Sequence, residues 1–129
     1  MTQQERGKTI PIESAMTILR KNTCEIVTVQ HWTQAVGYEC AKRFSDAFRN
    51  EFGKRPQPVL IAHRTHRAIE LLWDGELSNY EIARKLKLRN EKGLYQFVKQ
   101  HTDHLPTEIK NLSLNKHRKL QERLTNNII

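Results

Sequence analysis

Residues 28–56 read TVQHWTQAVGYECAKRFSDAFRNEFGKRP, and residues 78–106 read SNYEIARKLKLRNEKGLYQFVKQHTDHLP. The two stretches repeat one pattern of apolar positions at a constant offset of 50 residues. Apolar residues at helical spacing predict an amphipathic helix, and each stretch contains two such runs. The matched core positions are Trp32 and Ile82, Val36 and Leu86, Phe44 and Leu94, Phe48 and Val98, and Pro56 and Pro106.

The start of the first helix is marked in both stretches. Thr28 and Ser78 each precede it, and a side-chain oxygen at this place accepts hydrogen bonds from backbone N–H groups that the helix leaves unpaired. Ser78 and Glu81 also have the S-x-x-E spacing of a capping box. Each stretch is therefore predicted to begin a new helix at its first residues.

The ends of the helices repeat less regularly. Gly37 and Gly53 follow the two helices of the first stretch, where a positive φ is most easily adopted by glycine. Lys87 and Asp103 stand at the matching places of the second stretch. The four helices are predicted to cover about residues 29–36, 40–52, 79–86 and 90–101.

The rest of the chain is predicted to be helical as well. Period-2 alternation typical of strands is nearly absent, and an all-α fold follows. A helix is expected from Pro11 to about Asn22, a linker helix over about 58–73 with Pro58 in its first turn, and a last helix beyond Asn111. The predicted organisation is a flexible N-terminus (1–11), a first unit (12–56), the linker helix (57–75), a second unit (76–110), and a basic C-terminal helix or tail (111–129).

Charge points to a polyanionic partner. The 129 residues include 22 Lys and Arg against 14 Asp and Glu, for a net charge of +8 that is spread along the chain. Such an excess is typical of proteins that bind DNA or RNA. No apolar run is long enough to span a bilayer and no secretion signal is present. The expectation is a cytoplasmic protein, without membrane contact, in which Cys24 and Cys40 are reduced.

Enzymatic chemistry is not expected. The pairs His63/His66 and His101/His104 have helical spacing, but they are interpreted as solvent-facing residues and not as metal ligands. The chain has no phosphate-binding glycine loop and no nucleophile–base signature. We therefore predict no catalytic residues, no metal and no cofactor.

A more specific likeness is carried by residues in both units and in the linker. In the first unit they are Val36-Gly37-Tyr38, Phe44-Ser45, Phe48-Arg49, Phe52-Gly53 and Pro56. Further along they are Arg67-Ala68, Leu71-Leu72, Glu81-Ile82-Ala83, Leu86 and Pro106. In order and spacing, this set resembles the DNA-binding domain of AraC/XylS-family transcription regulators, over about residues 12–110.

The resemblance implies an architecture and a function. It implies two helix-turn-helix units of homeodomain-like type, joined by the linker helix, whose second helices enter successive major grooves of double-stranded DNA. With no room for an effector-binding domain, the chain looks like the stand-alone members of the family. A monomeric transcription regulator acting on an asymmetric site is expected, most simply an activator, with RNA polymerase as a further partner.

In the first unit, the expected DNA-facing residues lie opposite Phe44 and Phe48. By match to the family, the base-reading positions are Lys42, Ser45 and Asp46, with Arg49 closer to the phosphates. Asp46 departs from the family, which often has Arg there. It reads cytosine, marks weak DNA contact, or is simply a solvated acid.

In the second unit, the same argument selects base-reading residues and phosphate contacts. The base-reading set is Glu91, Lys92, Tyr95 and Gln96, and the phosphate set is Arg89, Asn90 and Lys99. Tyr95 packs on a thymine methyl or covers the edge of the core. Gly93 weakens its helix or permits a close approach of the backbone to DNA.

Several alternatives stay open. The fold can serve as a protein-interaction module that contacts RNA polymerase or acts as an anti-regulator, which the acids Asp46 and Glu91 favour. The chain can also be the DNA-binding half of a longer regulator, although Met1 argues mildly against this. Arg64 and Arg67 face DNA or pair with acids such as Glu70. The last helix packs on the second unit, touches the DNA backbone or is a mobile tail.

Overall fold

The computed structural model describes residues 11–129, and over that range the chain forms helices and turns without a strand. The predicted all-α class is confirmed for this part of the chain. The N-terminus expected to be flexible, residues 1–11, lies outside the described residues except for Pro11.

The chain forms two compact units. The first unit ends at Leu60 and also includes Ile129, and the second unit is Ile61–Ile128. The helices are a 3-10 turn (Ile12–Ser14), α1 (Ala15–Lys21), α2 (Val29–Val36), α3 (Ala41–Phe52), α4 (Pro56–Asp74), α5 (Asn79–Lys85), α6 (Glu91–Thr102), α7 (Pro106–Lys110), α8 (Leu114–Leu124) and a final 3-10 turn (Thr125–Asn127). Helix α4 begins in the first unit and ends in the second.

The core of the first unit is aromatic. Trp32 on α2 meets Phe44 and Phe48 on α3 edge to face, with ring centroids 5.2 and 5.1 Å apart. Such pairs contribute about 0.5–1.5 kcal/mol each beyond the burial of their area. The Trp32 indole nitrogen donates a 3.1 Å hydrogen bond to the Ala15 carbonyl, so α1 is also tied to this cluster. The predicted core positions of the first unit are fully buried.

The core of the second unit is aliphatic. Ile82 and Leu86 on the first helix of the pair and Leu94 and Val98 on the second are fully buried, as predicted from the offset of 50 residues. Apolar residues of the linker helix also face inward, with Ala68, Ile69 and Leu72 buried. One helix scaffold is therefore filled with rings in one unit and with branched chains in the other.

Both predicted N-caps are present. The Thr28 hydroxyl accepts a 3.0 Å hydrogen bond from the backbone N–H of His31. The Ser78 hydroxyl accepts one of 3.1 Å from the N–H of Glu81, and the Glu81 carboxylate accepts one of 2.9 Å from the N–H of Ser78. The capping box lowers the pKa of Glu81, because these hydrogen bonds favour its charged form.

The turns after each helix have the same backbone conformation in both units. Gly37 and Gly53 have φ values of 92° and 73°. Lys87 and Asp103, at the same places of the second unit, have φ values of 61° and 64° and are the two non-glycine residues with positive φ within residues 11–129. The sequence repeat thus extends to backbone geometry, even where a side chain makes that geometry unfavourable.

Two helix starts differ from the expectation. Helix α4 begins at Pro56, two residues before Pro58, because both prolines fit a first helical turn whose N–H groups have no partner in the helix. Pro106 was expected to lie beyond the helix at about 90–101. It is instead the first residue of α7, a helix of five residues that was not predicted.

The last helix packs on the rest of the second unit. Leu120 of α8 is buried, and the indole nitrogen of Trp73 donates a 3.0 Å hydrogen bond to the Leu112 carbonyl just ahead of the helix. The Trp73 and His117 rings are stacked with centroids 4.0 Å apart. Of the three roles left open for α8, packing on the second unit is the one observed.

Candidate functional site

Helix α3 turns one face away from the core of the first unit. Phe44 and Phe48 are buried, and residues 42, 45, 46 and 49 have the i, i+3, i+4, i+7 spacing that puts them together on another face of the helix. Lys42, Asp46 and Arg49 are exposed and Ser45 is half-buried. The four residues predicted to contact DNA from the first unit therefore share one accessible face.

Two of these residues pair with each other. The Lys42 ammonium lies 3.2 Å from an Asp46 carboxylate oxygen, one helical turn along α3. Their side chains are 84% and 58% exposed, so the pair contributes little to stability, about 0.3–0.5 kcal/mol by comparison with similar helix pairs. The cost of separating them on contact with another molecule is correspondingly small.

Helix α6 presents the matching face in the second unit. Glu91, Lys92, Tyr95 and Gln96 are all exposed. Tyr95 is 48% exposed, so about half of its surface is accessible to another molecule. The face combines a carboxylate, an ammonium, a phenol and an amide.

The three residues predicted to contact phosphates from the second unit are exposed as well, but one of them has a local role. The Asn90 side-chain oxygen caps α6 by accepting a 2.9 Å hydrogen bond from the N–H of Gly93. Lys99 makes a long, weak contact of 3.4 Å with the Asp103 carbonyl, and Arg89 is exposed beside the turn. Asn90 therefore has its amide NH₂ available to another molecule, while its side-chain oxygen serves the cap.

The exposed positions repeat between the two units. Residues 31–40 and 81–90 agree position by position in whether the side chain is buried, half-buried or exposed. The agreement continues through most of α3 and α6. Two helix pairs of the same construction thus expose the same face of their second helix.

Arg64 is not available on the surface. Its side chain is only 3% exposed, and its guanidinium donates a hydrogen bond to the Leu86 carbonyl at the end of α5. The suggestion that it faces DNA is wrong, because the carbonyl groups at a helix end need donors and Arg64 supplies one. Arg67 instead pairs with Glu70 at 3.3 Å, the alternative weighed from the sequence.

The histidines and cysteines form no metal cluster within residues 11–129. His66 and His104 lie 3.9 and 3.8 Å from Glu70 and Glu108, which gives pairs and not groups of three ligands. Burial lowers the pKa of His101. Cys24 and Cys40 are free thiols.

A groove lies beside the exposed face in each unit. In the first unit it measures about 310 Å³, and its walls include Ser45, Asp46 and Arg49 of α3 together with Arg55 and Pro56. Arg55 was missed from the sequence because it lies outside the helix that was expected to bind. Its place directly before the repeated Pro56 was the available signal.

The groove of the second unit is built from equivalent positions. It measures about 480 Å³ and lies between α6 and the start of α7. Tyr95 replaces Ser45 and Pro106 replaces Pro56 on its walls, and Glu91 and Lys92 also line it.

Comparisons of the chain with protein-family models, with curated proteins and with solved structures find no match. The resemblance to AraC/XylS-family regulators therefore stays a prediction from the residues that carry it. A search of the described residues for a helix of sufficient length and apolarity to cross a membrane finds none.

Proposed function

We propose that this chain is a sequence-specific regulator of transcription that binds double-stranded DNA as a monomer and acts as an activator. In this proposal each unit is a helix-turn-helix whose second helix, α3 or α6, enters the major groove, and the two helices occupy successive grooves. The AraC/XylS resemblance leads to the same expectation. Binding needs no metal or small-molecule cofactor.

The observation that carries the proposal is the repeated helix pair. A short helix, a turn with a left-handed residue and a longer exposed helix occur twice at an offset of 50 residues. If the repeat served only the core, the chemical character of the outer face of the second helix could differ between the two units. Here both outer faces carry side chains that donate and accept hydrogen bonds, the groups that base edges require.

The chemistry of the two faces differs, so the two half-sites are expected to differ. On α3, Lys42 donates to guanine acceptors and Asp46 accepts from the amino group of cytosine. On α6, the Gln96 amide is suited to a bidentate contact with adenine, and the exposed Tyr95 ring can pack on a thymine methyl. The backbone phosphates are contacted by Arg49, Arg89 and Lys99, and these contacts set the salt dependence of binding.

Selection from a random duplex library at physiological salt tests the proposal. The expected product is a non-palindromic site with two conserved blocks about one helical turn apart. Without any enriched sequence, and with weak binding that disappears as salt rises, the proposal would be wrong.

Two variants of α6 distinguish base recognition from phosphate contact. Gln96→Ala is expected to change base preference within one block, because the bidentate contact is lost. Lys99→Ala is expected to weaken binding to every sequence alike and to flatten the salt slope by about one. An equal loss on all sequences for both variants would contradict the roles given to these residues.

A protein-interaction module is the second candidate. The acids Asp46 and Glu91 on the exposed faces favour it, because carboxylates are repelled by phosphates. In this case the faces of α3 and α6 contact a protein such as RNA polymerase or another regulator. The library selection then yields no enriched duplex, whereas a pull-down with purified RNA polymerase retains the chain and loses it on Glu91→Lys substitution.

A further inference from the structure

The grooves of the two units occupy equivalent places but carry different charges. In the first unit, Arg49 and Arg55 line the groove with a single acid, Asp46. Asp46 is already paired with Lys42 at 3.2 Å. The two arginines are therefore the charges that the groove of the first unit offers to another molecule.

Neither arginine has a polar partner elsewhere within residues 11–129. Both are exposed, and neither guanidinium makes a hydrogen bond or an ion pair with the residues that the structure describes. An arginine presents several donors in a planar fork, which matches the oxygens of a phosphate group. Two such forks in one groove are complementary to the charge of a phosphodiester.

The groove of the second unit lacks this arrangement. Leu105 stands where the first unit has Arg55, and Lys92 is balanced by Glu91 on the same wall. A further carboxylate lies beside the groove, because Glu108 accepts a 2.6 Å hydrogen bond from the Leu105 N–H. The Tyr95 ring and Pro106 make much of the remaining wall apolar.

We propose that the groove of the first unit binds a phosphodiester group of the DNA backbone through Arg49 and Arg55, and that the equivalent groove of the second unit makes no phosphate contact. This inference rests on the proposed function and assigns a division of roles within it. The groove of the first unit anchors the backbone. The groove of the second unit, where Glu91 balances Lys92, adds no phosphate contact to those of Arg89 and Lys99.

The test measures the affinity for the selected duplex between about 50 and 200 mM salt. Each phosphate contact adds about 0.9 to the slope of log affinity against log salt. Arg55→Gln is expected to flatten the slope by about one, and Arg55→Lys, which keeps the charge, to restore most of it. Lys21→Gln, an exposed cation at the end of α1, is the control for loss of one charge and should leave the slope nearly unchanged.

A gain of contact provides the reciprocal test. Leu105→Arg places the missing cation at the second groove and is expected to steepen the slope by about one, provided that circular dichroism shows the native helix content. The inference is overturned if Arg55→Gln behaves like Lys21→Gln on a duplex that the unsubstituted chain binds. If the unsubstituted chain enriches no duplex at all, the proposed function fails, and this inference fails with it.

Discussion

Lys87 has a backbone conformation that residues with a Cβ atom rarely adopt. Its φ is 61°, whereas Gly37 takes the same place in the first unit. A left-handed conformation costs an L-residue about 1–2 kcal/mol. Lys87→Gly is therefore expected to raise the free energy of unfolding by about 1 kcal/mol, measured by urea denaturation.

Two further variants separate strain from side-chain contacts at this position. Lys87→Ala removes the contacts of the lysine but keeps the Cβ, so it should not stabilise the protein. Gly37→Ala introduces the same strain in the first unit and should lower stability by about 1–2 kcal/mol. A gain from Lys87→Ala equal to that from glycine would place the cost in the lysine side chain instead.

Gly93 lies within α6, and the sequence leaves two roles open for it: it weakens the helix, or it permits a close approach of the backbone to DNA. A Cβ at this position would lie 3.6 Å from the Asn90 side-chain oxygen and 3.8 Å from the Leu88 Cβ, which are ordinary contacts. The protein itself therefore has room for alanine, and Gly93→Ala is expected to stabilise α6 by up to about 1 kcal/mol.

The effect of Gly93→Ala on the affinity for DNA distinguishes the two explanations for Gly93. The added methyl group points toward Leu88 and Asn90, so we expect the affinity for the selected duplex to change by less than about twofold. Thermal unfolding and a binding titration on the same preparation give both values. A more stable variant that binds DNA much more weakly would instead favour a close approach of the backbone.

Helix α8 contacts the rest of the second unit through a histidine. The His117 ring is stacked on Trp73, and its Nε2 atom is buried without a hydrogen-bond partner among the described residues. Burial, and then the charge of His66, lower the pKa of His117, while Glu70 opposes the shift. Protonation would place an unsatisfied charged donor in this contact.

The sign of the pH dependence follows from this shift. In the undocked helix the pKa of His117 has the ordinary histidine value of about 6.5. His117 therefore binds a proton more readily in the undocked helix than in the docked one. The docking contribution is therefore complete above about pH 6.5 and is lost as pH falls toward the lower pKa of the docked form. Hydrogen-exchange protection of α8 should be lower at about pH 5.5 than at about 7.5.

Substitutions identify the histidine responsible for this change. His117→Phe keeps a ring against Trp73 and cannot titrate, so the protection of α8 should become independent of pH in this range. His31→Phe, at an exposed position of α2, should leave the change as it is. If the His117→Phe protein loses protection at low pH like the unsubstituted chain, another group controls the docking of α8.

Sequence reasoning succeeded for elements whose ends are marked locally. The range predicted for α2 matches Val29–Val36, because Thr28 and Gly37 mark its two ends within the chain itself. It failed where two local signals compete or where the element is short. Pro56 and Pro58 both fit a first helical turn, and α7 is too short to show a clear periodicity.

Sequence reasoning misplaced or missed residues whose surroundings come from distant segments of the chain. Arginine is usually a surface residue, yet the Arg64 side chain is buried and donates a hydrogen bond to the Leu86 carbonyl, 22 positions away. Arg55 lines a groove whose other walls come from α2, α3 and the start of α4. The exposed faces of α3 and α6 were predictable because they follow from helical periodicity alone.

The two units have separate cores, which predicts that each can be weakened by itself. Phe48→Ala removes a fully buried ring from the aromatic cluster of the first unit and is expected to cost about 3–5 kcal/mol. Leu94→Ala is the matched change in the second unit, at about 2–5 kcal/mol. Either cost is a large fraction of a total stability of about 5–15 kcal/mol.

Hydrogen exchange of the two variants shows which helices lose protection. With Phe48→Ala we expect faster exchange in α2, α3 and the start of α4, where Val59 and Leu60 belong to the same core, and retained protection in α5 and α6. Leu94→Ala should give the reverse pattern. A uniform loss of protection in both variants would mean that α4, which contributes residues to both cores, makes the whole chain unfold as one cooperative unit.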